Sequence, residues 1–233
     1  MIFNTNILKS ALVFSALFFI HGVTFSQNDI LELLPGSDKL EYDAITGIHR
    51  LSGNVNFKYQ GNIMYCDSAH YYERNKVVRA YGHVHINKRD TLNLFCDSLF
   101  YNGRNRMAKL WGNVRVRDNE FKLTTDTLDY DAKKGHASYR HGGRVESIIS
   151  KEVLTSKVGY FHPESKNFYF SHAVDYKGKD MTMTTDTLRY LYSQKTTFFY
   201  GPTHIATSDA KMYCESGWYN INTEEGSLQK NAW

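Results

Sequence analysis

Apolar and polar residues alternate along most of the chain. Val78-x-Ala80-x-Gly82-x-Val84-x-Ile86 is one clear run, and Val55-x-Phe57-x-Tyr59 is another. A period of two is the signature of a β-strand with one buried face. No stretch sustains a helical period, so the pattern predicts an all-β fold. Turn-forming segments interrupt the alternation: Asn102-Gly103, Asp131-Ala132-Lys133-Lys134-Gly135, Pro163-Glu164-Ser165-Lys166 and Thr223-Glu224-Glu225-Gly226. Pro163 and Pro202 fall in or beside turns, where a missing N–H is tolerated.

The alternation is organised as a repeat. Met64-Tyr65-Cys66-Asp67-Ser68-Ala69-His70-Tyr71 aligns with Leu94-Phe95-Cys96-Asp97-Ser98-Leu99-Phe100-Tyr101. Leu123 to Tyr130 and Met183 to Tyr190 follow the same pattern around Thr-Thr-Asp-Thr-Leu. A tyrosine column runs through Tyr42, Tyr71, Tyr101, Tyr130, Tyr160, Tyr190 and Tyr219, with spacings of 29 or 30 residues. An acidic column stands four residues earlier and a glycine column eleven residues later, at Gly53, Gly82, Gly112 and Gly201. In the fourth copy the glycine is displaced to Gly142 or Gly143. The repeat predicts seven two-strand copies, about fourteen strands, in a single domain over residues 27–233. Val145 and Val174 come late in the fourth and fifth copies, which predicts β-bulges there.

Residues 1–26 contain Lys9, no acidic residue and the apolar run Ala11 to Ile20. Thr24 and Ser26 supply small residues for cleavage after Ser26, so this segment reads as a secretory signal peptide. An exported protein is expected. The formal net charge of +4 over 233 residues gives little support to a nucleic-acid partner. Three cysteines, Cys66, Cys96 and Cys214, are too few for a disulfide framework.

Candidate chemistry is sparse. Asp67, Asp97, Asp126 and Asp186 recur at one repeat position, which argues for a structural role at a strand corner, accepting backbone N–H bonds. Tyr71, Tyr101, Tyr130 and Tyr190 read as core packing with the hydroxyl at a wet edge. His83 and His85 lie two apart, but no further ligand accompanies them. Gly-x-Ser-x-Gly, His-Glu-x-x-His and P-loop motifs are missing. No catalytic residue, metal site or cofactor is expected. By strand parity the inward set is Val55, Phe57, Val84, Ile86, Leu99, Val114, Val116, Leu128 and Leu188.

The units Gly53-Asn54-Val55, Gly82-His83-Val84 and Gly112-Asn113-Val114, alternating with Cys66-Asp67-Ser68-Ala69 and Thr125-Asp126-Thr127-Leu128, resemble the LptA/OstA family. These are periplasmic lipopolysaccharide-transport proteins with an organic solvent tolerance protein-like domain. The tyrosine-rich character and Ser26-Gln27 look like the Bacteroidetes branch. The resemblance implies a twisted, half-open β-jellyroll. Its apolar groove, lined by the inward set, would hold lipid A acyl chains. Its edge strands would pair with other jellyrolls of the transport bridge at the outer membrane. Head-to-tail self-association follows from the same edges, Ser37 to Phe57 and Tyr213 to Trp233. Following the family, Cys66 and Cys96 stand two strands apart, ~10 Å, beyond disulfide reach. A competing reading is an exported β-solenoid with a structural, adhesive or polysaccharide-binding role.

Overall fold

A computed structural model describes residues 32–59, 61–88, 92–162, 165, 167–220 and 222–233. The expected signal peptide at 1–26 lies outside them. Among the described residues there are seventeen β-strands, two short 3-10 turns and no α-helix. Backbone contacts group the described residues into two compact units. One comprises 32–119 and 124–136, the other 120–123 and 137–233.

The first unit is built on β1 (Glu32–Leu33), β2 (Lys39–Asp43), β3 (Ile48–Tyr59), β4 (Asn62–Tyr72), β5 (Val77–Lys88), β6 (Leu92–Asn102) and β7 (Met107–Arg117). Each of β2 to β6 pairs antiparallel with its successor. β1 lies along the same strand as β2, with Leu33 opposite Phe57. Then follows β8 (Phe121–Asp131). The second unit carries β9 (His136–Tyr139), β10 (Gly143–Ser147), β11 (Val153–Ser156), β12 (Val158–His162), β13 (Asn167–Lys177), β14 (Met181–Leu191), β15 (Thr196–Thr207), β16 (Lys211–Asn220) and β17 (Glu225–Gln229). Its registers are also antiparallel, and β13 to β17 again pair in sequence.

Seventeen strands replace the expected fourteen for three local reasons. β1 pairs with β3 ahead of the first repeat. β9 and β10 are separated because Gly142 takes φ +100° and the Tyr139 ring fills the space beside Gly143 and Gly159. β11 and β12 are separated at Lys157, where Ser156 turns its hydroxyl to Val158 O (2.9 Å) and to Tyr139 Oη (2.7 Å).

Six hairpins close alike. The residue five positions after the column tyrosine is left-handed in each: Gly47, Lys76, Arg106, Gly135, Lys195 and Glu224. In four of them the residue directly after the tyrosine is Asp or Asn. Asp43, Asn102, Asp131 and Asn220 each accept backbone N–H bonds from two and three residues ahead. Such Asx turns release the chain from the strand and fix hairpin length, and hence register. The other two hairpins use 3-10 turns, Glu73–Asn75 and Tyr192–Gln194.

Candidate functional site

The candidate site is the apolar face of the first unit, and its rows follow from register. One row runs Leu51, Ala69, Ala80, Leu99, Leu110 across β3 to β7, each residue opposite the next. All five are buried. A second row runs Phe57, Met64, Ile86, Leu94, Val116 over the same strands. Between them Val55 faces Cys66 and Val84 faces Cys96. Of the nine residues placed inward by parity, eight are at most 4% exposed, so the face is closed in this conformation. Ile86 is half-buried, as is its cross-strand partner Leu94. Leu188 belongs to the second unit, where it lies between Phe170 and Phe199.

The interiors of the two units differ in chemistry. The first is lined mainly by Val, Leu, Ala and Cys, with Met64, Ile86 and one buried ring, Phe57. The second is rich in buried rings: Tyr139, Phe161, Phe168, Phe170, Tyr176, Tyr190, Phe199 and Tyr219. It also holds buried hydroxyls, with Thr185 Oγ1 2.8 Å from Thr203 Oγ1, and the buried carboxyl of Glu152. Burial pushes the Glu152 carboxyl above its ordinary range, opposed by hydrogen bonds from Ser150 and Tyr176.

The Asp column marks a bend. Simple alternation would bury Asp67 together with Ala69. Instead Cys66 and Ala69, three apart, are both buried and Asp67 is exposed. Cys96 and Leu99, Thr125 and Leu128, and Thr185 and Leu188 repeat that pattern around Asp97, Asp126 and Asp186. The register supplies the cause. Two residues of β3, Gly53 and Asn54, oppose the single Asp67, between the pairs Ser52–Ser68 and Val55–Cys66. Equivalent shifts occur between β5 and β6, β13 and β14, and β15 and β16. Bulges are therefore a feature of nearly every copy, rather than of the fourth and fifth alone.

Glycine at the bulge is required twice over. Gly53, Gly82, Gly112 and Gly201 have φ between +71° and +81°. A Cβ on each would stand only 2.7–2.9 Å from the Cβ of Asp38, Asp67, Asp97 or Asp186. The residue after glycine then reaches the carboxylate. Asn54 Nδ2 donates to Asp38 Oδ1 (3.3 Å), and Asn113 Nδ2 donates to Asp97 Oδ2 (2.7 Å). His83 Nδ1 lies 2.7 Å from Asp67 Oδ2, and Asn231, which follows Lys230 where the other copies have glycine, donates its Nδ2 to Glu215 Oε1 (3.0 Å). The carboxylates thus meet side chains, where backbone N–H donors were expected. This partner was missed in the sequence, although the Gly-Asn and Gly-His pairs at a constant separation of sixteen carry the signal. Asp186 stands apart because Pro202 follows Gly201; it accepts from Thr187 Oγ1 (3.1 Å) instead.

The column tyrosines vary. Tyr190 is buried against Phe168, while Tyr71, Tyr101 and Tyr130 are half-buried. Tyr101 donates to Tyr59 Oη (3.3 Å). His85 goes to a partner unrelated to that of His83, stacking on Phe95 at 4.4 Å. No cluster of three metal-ligating side chains occurs among the described residues. Cys66, Cys96 and Cys214 are buried free thiols.

The family model of OstA-like proteins matches residues 30–186, more than half of the chain. The chain belongs to the OstA-like family. No curated protein matches it. Among solved structures, this OstA-like chain is similar to LptH from Pseudomonas aeruginosa, titled the LptA-homologous periplasmic component of a lipopolysaccharide transport device. The identity is 15% and the TM-score 0.28, over 60% of this chain and 82% of that one. A mutant TCP10 domain of CPAP from Danio rerio also matches, at 8% identity and TM-score 0.16, over 82% of this chain and 99% of that one.

Proposed function

We infer that this OstA-like protein is exported to the periplasm and carries lipopolysaccharide between membranes as one module of a bridge, without catalysing a reaction. Lipid A acyl chains occupy the interior of the first unit. The observation that carries this reading is the pair of apolar rows crossing five strands, set in a chain that belongs to the OstA-like family. Each acyl CH₂ transferred from water to such a face gains about 0.8 kcal/mol.

Because the lining is closed in this conformation, loading requires the sheet to part. Parting begins where Ile86 and Leu94 are already partly exposed. The aliphatic lining of the first unit suits acyl chains better than the ring- and hydroxyl-filled interior of the second, where displaced hydroxyls would lose their partners. Neighbouring modules add strands at β1–β2 and at β17, which supply backbone donors and acceptors for β-augmentation. Head-to-tail association of this chain uses the same edges.

The test is recovery of lipid with the protein. Mature protein purified from its own envelope should carry lipopolysaccharide detectable by mass spectrometry, and a fluorescent lipid A should bind and be displaced by unlabelled lipopolysaccharide. Purified protein free of lipid and unable to bind the fluorescent probe would refute the reading.

A further inference from the structure

The outward face of the same strands carries an ordered pattern of its own. Beside the buried row of Leu51, Ala69, Ala80, Leu99 and Leu110 lie the outward residues Arg50, His70, Arg79, Phe100 and Lys109, again each opposite the next. Cations occupy β3, β5 and β7, and rings occupy β4 and β6. With strands about 4.8 Å apart, the cations recur roughly every 9.6 Å. Across the bulge a second outward row continues the face: Tyr65, His85, Phe95 and Arg115.

Two cations of this face, Arg79 and Arg115, stand over rings. The Arg79 guanidinium carbon lies 5.6 Å from the Tyr72 centroid and 5.8 Å from that of Phe100. Arg115 sits 5.2 Å from the Phe95 centroid, and Phe95 is itself stacked on His85 with an interplanar angle of 6°. A guanidinium fixed this way loses less freedom on meeting an anion than a free side chain does. Among the described residues Arg79, Lys109 and Arg115 have no carboxylate within ion-pair distance. Arg50 reaches Asp43 at 3.9 Å. Asp67 and Asp97, at the bend, are engaged by His83 and Asn113.

We propose that this outer face binds a linear acidic polysaccharide, one charge meeting each cation of the Arg50–Arg79–Lys109 row. A fluid headgroup surface has no fixed spacing, and so gains nothing from cations set at a regular interval on alternate strands. A single nucleic-acid strand carries a phosphate at every nucleotide, more closely spaced than cations that stand on every second strand. A sugar chain charged on alternate rings matches a row in which cation and ring alternate. This site is independent of the lipid-carrying interior, which faces the other way.

The probe is hyaluronan oligosaccharide, which bears one carboxylate on alternate rings. Isothermal titration with the mature chain should show binding that weakens as salt rises, and none to neutral dextran. Arg79→Gln combined with Lys109→Gln should weaken it about tenfold, with the fold retained, because both side chains are exposed and only the ring contacts of Arg79 are lost. Arg140→Gln, which removes a cation stacked on Tyr160 in the other unit, should leave it unchanged. No binding to hyaluronan, equal loss in Arg140→Gln, or tighter binding to poly-dT or to anionic vesicles would overturn the proposal.

Discussion

His83 Nδ1 and Asp67 Oδ2 lie 2.7 Å apart across the bulge that Gly82 opens in β5. The hydrogen bond to Asp67, and then its charge, hold the His83 imidazole above its ordinary value. A group whose folded pKa is raised contributes its stability below the unfolded pKa and loses it as pH rises through the folded value. Three other copies place asparagine in this slot, which bonds to the carboxylate without titrating. His83→Asn should therefore preserve the fold and remove that pH dependence. NMR titration of His83 in the parent protein and in Asp67→Asn checks the cause: the pKa should fall in the variant.

Glycine at the bulge meets two demands, and they can be separated. Gly82→Ala places a Cβ against Asp67 at φ +72°, whereas Gly135 has φ +62° and nothing within 4 Å. Gly135→Ala should cost about 1 kcal/mol, the left-handed penalty alone. Gly82→Ala should cost about 2 kcal/mol or more, because Asp67 must also move. Urea unfolding of both variants measures the difference. Equal costs would mean that the carboxylate does not crowd the glycine.

Burial, with a smaller effect from the adjacent aspartate, pushes the thiols of Cys66 and Cys96 up to about 12. Both should resist a thiol reagent at pH 8 in the native protein and react only after unfolding. Cys66 and Cys96 lie on β4 and β6 with β5 between them, so no disulfide should form. Mass spectrometry of the alkylated, unreduced protein reads both points.

Glu152 is the buried carboxyl of the second unit, and its pKa is raised by burial. A carboxyl whose folded pKa is raised costs nothing while it is protonated in both states, and destabilises the fold increasingly as pH rises from the unfolded pKa of about 4.3 to the folded value. Glu152→Gln should therefore gain stability relative to the parent between pH 4 and pH 8. Melting temperatures across that range test the sign.

Strand alternation and the tyrosine column are legible because alternation holds within each uninterrupted stretch and the column recurs every 29 or 30 residues, and most of the all-β architecture follows from them. The buried state of Cys66 and Ala69 on either side of exposed Asp67 is not. Parity predicts the face of a residue only within an uninterrupted strand, and the bulge that resets it belongs to the neighbouring strands. The carboxylate partners sixteen residues ahead were hidden for the same reason, since their contact crosses strands. The division at β9–β10 depends on Tyr139 packing on Gly143 and Gly159, a contact that no local pattern announces. Eight of the nine residues of the inward set are buried strand positions, while what they hold is a matter of chemistry that burial alone does not define.

The central claim is that the interior of the first unit holds acyl chains. Benzoylphenylalanine in place of buried Leu128, irradiated in living cells, should crosslink to lipopolysaccharide. The same group in place of Trp111, which is 37% exposed on the outer face, should not. Lipopolysaccharide adducts at Trp111 with none at Leu128, in a folded protein, would contradict the account.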